Sequence, residues 1–352
     1  MISHKEWIEN ALNHEETRPV PYNFSFSPLI RRMLERHLGT DDVESFLDFP
    51  IRSIAVNTIK PLYADPKIYG NAIKDEFGVL WSTNPIDRGA PIGPCLKEPD
   101  LSRYQFPNPA REYRYEGLED WCQKNGDHFT IIWVGDLWER ATFMRGMEDL
   151  LLDISLHPRF VEKLLSGLTD YILKTMEELF HRCAFDCIAV SDDYGAQNDL
   201  LMSPSAWRKL VKPCLARIYA LAKKNGRRIL HHSCGNNMRI IGDFIDIGLD
   251  ILHPIQPEAM DIHYLKKHFG KDLSLCGGIP TQTLLPDGTP HVIRKEVRRI
   301  LEVMGQDGGF IIEPGITLQA DIPLANCLAM IEEAIPRRLL NASPLRRSRS
   351  RP

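Results

Sequence analysis

The sequence predicts an α/β fold, a closed (β/α)8 barrel of the TIM-barrel type with an irregular proline-rich insertion between strands 2 and 3. Short apolar segments typical of strands alternate with segments whose apolar residues recur at three- and four-residue steps, as in amphipathic helices. Eight strands can be counted in a chain of 352 residues, a length that suits one such barrel. The alternative is an open doubly wound sheet, which normally carries a glycine-rich phosphate turn after its first strand. The sequence lacks that turn.

The regular elements can be taken in chain order. An amphipathic helix is predicted over 4–13, and Ser27-Pro28 predicts the start of a helix that runs to Gly39, since serine caps and proline favours a first helical turn. A further helix starts at Ser203-Pro204 and stops at Gly226, and a last one stops at Gly305. The predicted strands are 19–24, 51–56, 129–134, 187–191, 228–232, 250–254, 273–277 and 310–312.

Residues 59–125 differ from this pattern. Repeated prolines interrupt any helix, and Phe77-Gly78-Val79-Leu80-Trp81 predicts one arm of a hairpin. So long an irregular stretch is typically functional, so we predict an insertion or lid here. We therefore expect a single barrel domain over 1–340 and a basic, disordered tail over 341–352.

Composition narrows the function classes. A formal net charge of −4 argues against a nucleic-acid partner, because such proteins usually carry an excess of basic residues. The eight cysteines show no disulfide spacing, and the amino terminus has no signal-peptide pattern, so we expect a cytoplasmic protein. No apolar run is long enough for a membrane span. We expect a small-molecule substrate, without a membrane partner.

In a barrel of this type the active site gathers at the carboxyl ends of the strands. Those ends are rich in acids and in nitrogen and sulfur ligands. The residues found there are Asn23, Ser25, Trp133, Asp136, Asp192, Asp193, His232, Cys234, His253, Gln256, Cys276 and Glu313.

The segment Ile229–Asn236 carries the strongest signal. His232 and Cys234 are two residues apart and project to the same side of a strand end. An imidazole and a thiolate together suit zinc better than magnesium or calcium. The alternative is that Cys234 is a small buried residue and His232 a hydrogen-bonded one. For Asp192 and Asp193 the alternatives are a carboxylate pair that handles substrate or a proton, and the ordinary cap of the following helix.

Several motifs between 138 and 327, taken together, resemble the uroporphyrinogen decarboxylase superfamily, in particular its branch of methylcobalamin:coenzyme M methyltransferases. The matching segments are Trp138-x-Arg140, Arg145-Gly146-Met147-Glu148-Asp149-Leu150, Asp192-Asp193-x-Gly195-x-Gln197, Ser203-Pro204, His232-x-Cys234-Gly235-Asn236, Gly277-Gly278-Ile279, Pro314-Gly315 and Asp321-x-Pro323-x-x-Asn326.

The resemblance implies a cobalamin-linked methyltransferase that moves a methyl group between a separate corrinoid protein, carrying methylcobalamin, and a small acceptor. The branch holds zinc with a His-x-Cys pair and a distant cysteine. His232 and Cys234 match the pair, but the third position is Ile316. Either Cys276 or Glu313 then supplies the third ligand, or the metal has been lost. Asp192, Asp193 and His232 are the expected catalytic residues. Substrate contacts are expected from Asn23, Trp133, Tyr194, Gln197, His253 and Gln256.

Two other functions stay open. The first is decarboxylation of a tetrapyrrole or a smaller acid, although the arginine-rich Met-Arg-Gln-Ala-Gly-Arg stretch of the true decarboxylases is replaced here by Asn23-Phe24-Ser25-Phe26-Ser27. The second is a non-catalytic barrel that binds a corrinoid or tetrapyrrole. The sequence is also compatible with a homodimer.

Overall fold

The structure is a computed structural model, and residues 2–335 are described here. Its strands are β1 (Ile51–Ala55), β2 (Ala72–Lys74), β3 (Leu80–Ser82), β4 (Pro91–Gly93), β5 (Phe129–Asp136), β6 (Cys187–Ser191), β7 (Arg228–His232), β8 (Ile251–Ile255), β9 (Ser274–Ile279) and β10 (Phe310–Pro314).

Its α-helices are α1 (His4–Leu12), α2 (Pro28–Leu38), α3 (Val43–Phe46), α4 (Pro66–Tyr69), α5 (Leu118–Lys124), α6 (Trp138–Arg145), α7 (Met147–Leu156), α8 (Pro158–Arg182), α9 (Pro204–Leu210), α10 (Lys212–Lys224), α11 (Ile241–Asp246), α12 (Ile262–Phe269), α13 (Leu284–Asp287), α14 (Pro290–Met304) and α15 (Leu324–Ala334). Short 3-10 helices cover Glu112–Arg114 and Met238–Ile240.

The chain divides into two compact units. Unit 1 takes in the described residues of Met1–Arg52, Asp127–Phe129 and Ile251–Pro352, and unit 2 takes in Ser53–Gly126 and Thr130–Asp250.

Unit 2 is built on parallel strands in the order β1-β5-β6-β7. The register pairs Asp136 with Ser191 and Ser191 with His232, so the carboxyl ends of three neighbouring strands are level. Helix α8 buries Leu164, Leu168 and Ile172 along one side, at the spacing of a helix that packs on a core. This core fixes the strand ends that carry Asp136, Ser191 and His232.

Unit 1 contains the parallel strands β8-β9-β10, with Ile311 opposite Cys276 and Glu313 opposite Gly278. The strand predicted over 19–24 is not a regular strand. Tyr22 forms only an isolated parallel bridge with Ile312. The reason is that Pro19 and Pro21 have no N–H groups to donate, so the ladder is interrupted at alternate positions.

The other seven predicted strands are confirmed, with ends that shift by a few residues at most. The parallel α/β class is therefore confirmed. The helix predicted from Ser203-Pro204 to Gly226 is divided at Val211 into α9 and α10. Within 59–125 the short strands β2, β3 and β4 form an antiparallel sheet. The predicted tail, 341–352, lies outside the described residues. Among residues 2–335, no helix combines the length and the apolar character that a membrane crossing needs.

Candidate active site at the ends of β5, β6 and β7

Asp193, His232 and Cys234 come together just after β6 and at the end of β7, and each is half-buried. We call these three residues the β7 cluster. The Sγ atom of Cys234 lies 3.5 Å from Nε2 of His232, which lies 3.6 Å from Oδ1 of Asp193. Tetrahedral zinc with sulfur, nitrogen and oxygen ligands separates its ligand atoms by about 3.4 to 3.6 Å. The donor set and its spacing therefore fit a zinc ion.

A close backbone contact positions Cys234. A Cβ atom added to Gly235 would lie 2.3 Å from the carbonyl oxygen of Gly195, and Gly235 has a φ of +79°. The N–H of Cys234 donates to Oδ1 of Asp193 at 2.8 Å, and the N–H of Asn236 donates to the carbonyl oxygen of Ala196 at 2.8 Å. The loops that follow β6 and β7 are thereby joined backbone to backbone, and glycine is required because any side chain would separate them.

A cavity of about 320 Å³ opens beside these strand ends. Its wall contains three aromatic residues, Phe143 among them, together with several charged and polar groups. They include Lys60, Asp75, Trp81, Arg88, Trp133, Asp136, Glu139, Arg140 and Ser191. The ring of Trp133 meets the ring of His232 edge to face, with centroids 6.2 Å apart. The cavity is therefore next to the β7 cluster, and it is large enough for a small substrate.

Glu139, at the start of α6, is the ionisable group whose pKa is best placed for proton transfer in this cavity. Burial, reinforced by the negative charges of Asp193 and Asp136, raises its pKa to about 7. Its Oε2 accepts a hydrogen bond from the Ser191 hydroxyl at 3.0 Å, and Arg88 lies 3.9 Å from Oε1. A carboxyl group with a pKa near neutrality can both take up and release a proton at physiological pH.

Electrostatics in the β7 cluster favour a cation. Burial raises the pKa of the Cys234 thiol, and the charges of Asp193 and Glu139 raise it further. Burial also lowers the pKa of His232. Without a cation the thiol and the imidazole are both neutral, and a divalent ion would supply the positive charge that holds Cys234 as a thiolate.

A buried ionic group forms one wall of the cavity. Arg140 donates to Asp75 at 2.7 Å and to Asp136 at 3.2 Å. The other oxygen of Asp75 accepts the backbone N–H groups of Phe77 and Val79, and Trp81 donates its indole N–H to Asp75 at 2.8 Å. One carboxylate therefore fastens the turn between β2 and β3 to α6.

The predicted acid Asp192 differs from its neighbour Asp193, because its side chain is fully buried and fully bonded. Oδ1 accepts the N–H groups of Leu137 and Glu139, and Oδ2 accepts the Tyr194 hydroxyl at 2.6 Å. Asp192 thus caps the start of α6 and positions Glu139. Tyr194, a predicted substrate contact, is also buried in this network, whereas Gln197 is exposed in the loop after β6.

A second group of residues whose side chains can bind a metal lies in unit 1, within β8, β9 and β10. His253, Cys276 and Glu313 place one ligand atom each within 4.8 Å of one another. We call them the β9 cluster. Asn23 donates to Oε1 of Glu313 at 3.1 Å, and Gln256 donates to the carbonyl oxygen of Gly315 at 3.3 Å. The four metal ligands predicted from the sequence thus belong to two clusters, two residues in each.

A family model described as uroporphyrinogen decarboxylase (URO-D) matches residues 92–335, more than half of the chain. The chain belongs to the uroporphyrinogen decarboxylase family. The family inferred from the motifs around Asp192, His232 and Gly277 is therefore confirmed.

Sequence relatives within this family carry two different activities in their names. A uroporphyrinogen decarboxylase of Thermus thermophilus is 28% identical over 182 residues, which cover 49% of this chain and 47% of the relative. A methylated-thiol--coenzyme M methyltransferase of Methanosarcina mazei is 26% identical over 157 residues, covering 41% of this chain and 40% of the relative. The chain spans about half the length of the curated relatives it matches.

A solved structure, a methyltransferase from Methanosarcina mazei, matches with a TM-score of 0.71 and 18% identity, over 95% of this chain and 98% of that one. At this identity the likeness shows a shared fold.

The sequence analysis did not identify several residues that line the cavity. Glu139 is the middle residue of the motif Trp138-x-Arg140 and follows a predicted strand end. Its position in the sequence therefore indicated that it could belong to the site. Lys60, Asp75 and Arg88 come from the insertion, where no periodic pattern indicated which side chains would line a cavity. Asp193 was expected as a catalytic acid, and the structure brings it within ligand distance of His232.

Proposed function

We propose that this member of the uroporphyrinogen decarboxylase family is a methyltransferase that moves a methyl group between a separate corrinoid protein and a small thiol acceptor. In this proposal Asp193, His232 and Cys234 hold a zinc ion, and the acceptor occupies the neighbouring cavity. The observation that carries it is the spacing of the β7 cluster, with ligand atoms 3.5 and 3.6 Å apart beside a cavity of about 320 Å³. The Methanosarcina relatives support the reaction class.

When bound, zinc would supply Lewis acidity that keeps an acceptor thiol in its nucleophilic thiolate form. Glu139 is placed to accept the thiol proton, since its pKa is about 7. Trp133 covers one side of the acceptor and limits the access of water. Lys60 and Arg88 add positive charge to the cavity wall, which favours an acceptor with an anionic end.

We also propose that the strands close into a (β/α)8 barrel. It is supported by the parallel order of strands within each unit and by a fold match that extends over 95% of the chain.

The test combines metal analysis with a methyl-transfer assay. Zinc-loaded wild-type protein, given methylcobalamin and a small anionic thiol, is expected to demethylate the corrinoid, which absorbance reports. His232→Ala and Cys234→Ala should each lose one zinc equivalent and slow transfer on the order of a hundredfold or more, because Lewis-acid stabilisation contributes several kcal/mol.

Cys183→Ala is the matched control, since Cys183 is a half-buried free cysteine of unit 2 outside the cavity. It should retain both the zinc and the activity. Zinc content that is unchanged in Cys234→Ala, or a zinc-loaded wild type without methyl transfer, would contradict the proposal.

A second candidate is decarboxylation of a tetrapyrrole or a smaller acid. It is favoured by the 28% identity to the Thermus thermophilus uroporphyrinogen decarboxylase over 182 residues. Incubation with uroporphyrinogen, followed by chromatography of the oxidised porphyrins, distinguishes the two: products with fewer carboxyl groups support decarboxylation, and unchanged substrate rejects it.

A further inference from the structure

His253, Cys276 and Glu313 are three ligand-type side chains from three neighbouring strands, and the methyl transfer proposed above does not use them. His253 lies in β8, Cys276 in β9 and Glu313 in β10. Only 2% of Cys276 is exposed, and the side chains of His253 and Glu313 are 13% and 8% exposed. Three polar side chains are thus brought together in a largely buried place, where each needs a partner.

The distances suit a small cation. Oε2 of Glu313 lies 3.1 Å from Sγ of Cys276 and 3.6 Å from Nε2 of His253. Zinc at tetrahedral angles separates such atoms by about 3.4 to 3.6 Å, so small side-chain adjustments would complete the coordination. The charges balance as well, because a thiolate, a carboxylate and a neutral imidazole together carry two negative charges, which a divalent ion neutralises.

A cysteine nucleophile activated by histidine fits this arrangement less well. In that arrangement the imidazole lies between the thiol and the carboxylate. Here Glu313 lies between Cys276 and His253, and its Oε2 faces both. The Cys276 thiol donates a hydrogen bond to this oxygen at 3.1 Å, and a divalent ion would take the place of that proton between the sulfur and the carboxylate.

The backbone around the β9 cluster brings its residues together. Gly277 has a φ of +131°, and a Cβ atom there would lie 2.7 Å from the backbone nitrogen of Ile255. The register between β8 and β9 shifts between Leu252 and Ile255, which includes His253. Such an irregularity redirects a side chain relative to its neighbours. The close approach of β8 to β9 therefore depends on glycine at 277.

Asn23 orients the carboxylate from outside the cluster. Its Nδ2 donates to Oε1 of Glu313 at 3.1 Å, which leaves Oε2 directed at Cys276 and His253. Hydrogen bonds of this kind to a ligand's second oxygen are typical of metal sites and tune their affinity.

From this geometry we infer that His253, Cys276 and Glu313 form a metal site of their own in unit 1, for zinc or a similar divalent transition metal. Three protein ligands leave the fourth coordination position for water or a small ligand, and the sulfur and nitrogen donors select against magnesium and calcium. On binding, the Cys276 thiol gives up its proton to solvent and the sulfur forms the bond to the metal. The site is independent of the methyl transfer proposed for the β7 cluster.

The test uses the full chain with the β7 cluster disabled by His232→Ala and Cys234→Ala. After chelation, reloading with zinc and desalting, this double variant is expected to keep one zinc equivalent, measured by mass spectrometry of the metal. Cobalt(II) in place of zinc should produce a thiolate-to-cobalt charge-transfer band. Adding Cys276→Ser or Glu313→Gln should remove both the zinc and the band, and Asn23→Ala should weaken binding by about tenfold.

Cys327→Ser is the matched control, because Cys327 is another fully buried cysteine of unit 1 and does not belong to the β9 cluster. It should leave zinc and the cobalt band in place. Circular dichroism verifies that each variant is folded, and the near-isosteric Glu313→Gln keeps the test valid if Cys276→Ser does not fold.

The outcomes separate the two metal sites. A double variant that binds no zinc and gives no cobalt band would overturn the site in unit 1 and leave the β7 cluster proposal standing. A wild type whose single zinc disappears only with Cys276→Ser would support the unit 1 site and contradict the β7 cluster proposal.

Discussion

At the scale of single residues, Asp192 and Asp193 show how environment separates two adjacent acids. Asp192 is buried and caps α6 through two backbone N–H groups. Asp193 faces His232 at 3.6 Å. The sequence predicts that the pair lies at a strand end, yet it cannot assign the roles, because capping depends on where the amino end of α6 lies in space. Glu139 lies in the first turn of α6, where acidic residues are common, so the sequence alone does not distinguish it from them.

Glu139 gives a pH-dependent prediction for the metal-stripped protein. Its pKa is raised from 4.5 to about 7 on folding, so the folded state binds more protons than the unfolded state between these values. The wild-type free energy of unfolding should therefore fall as pH rises through that window. Glu139→Gln removes this fall, which amounts to on the order of 1 to 3 kcal/mol.

Urea unfolding at a series of pH values from about 5 to about 8 measures the difference in stability between wild type and Glu139→Gln. Glu313 has a similarly raised pKa, but it is present in both proteins and cancels. The exposed Glu302→Gln serves as control and should follow the wild type. Parallel stability curves for Glu139→Gln and wild type would reject the assignment.

At the scale of elements, the strand ends were predictable and their side-chain partners were not. Short apolar segments that alternate with amphipathic helices predicted seven of the parallel strands, since burial of apolar faces sets both patterns locally. The bridge at Tyr22 replaced a strand because prolines remove donors. Which strand ends share a cluster depends on twist and register. The grouping of Cys276 with His253, and of Cys234 with Asp193, was therefore visible only in the structure.

The contact between the loops after β6 and β7 predicts a strong effect of Gly235→Ala. The new methyl group would overlap the backbone of Gly195 at 2.3 Å in addition to straining a φ of +79°. We expect a loss of stability on the order of 2 to 4 kcal/mol, and weaker zinc binding because Cys234 moves with the loop.

Gly226→Ala is the matched control, since Gly226 has a similar φ of +67° but nothing within 4 Å of an added Cβ. It should cost about 1 kcal/mol and leave zinc affinity unchanged. Thermal unfolding and zinc titration measure both variants. Equal losses in the two variants would show that the loop contact is unimportant.

At the scale of the whole molecule, each compact unit carries its own group of metal-type ligands, one set around His232 and the other around Cys276. The family likeness covers 92–335, whereas the insertion residues that line the cavity begin at Lys60. Family membership was readable from motifs spread along the chain. The residues that line the cavity could not be predicted, because they depend on contacts between the insertion and α6. Such contacts produce no periodic pattern in the sequence.

Zinc should stabilise the intact chain. Ligand binding to the folded state adds about 2.7 kcal/mol per site at a free concentration 100 times the dissociation constant, so the Tm of chelator-stripped wild type should rise by several degrees on adding zinc. The rise should be smaller in Cys234→Ala and absent in the combined Cys234→Ala, Cys276→Ser variant. Differential scanning calorimetry measures it, and magnesium is the control ion. A Tm indifferent to zinc in the wild type would count against both sites.

The carboxylate of Asp75 has a consequence for engineering. It accepts hydrogen bonds from the backbone of Phe77 and Val79 in the hairpin turn, and it pairs with Arg140 on α6. The hairpin and α6 are therefore held together as one wall of the cavity. Replacing the antiparallel sheet by that of another protein would change Trp81 and Arg88 together, and both of them line the cavity. The replacement segment needs a carboxylate at the position of Asp75, because the buried guanidinium of Arg140 would otherwise lose that partner.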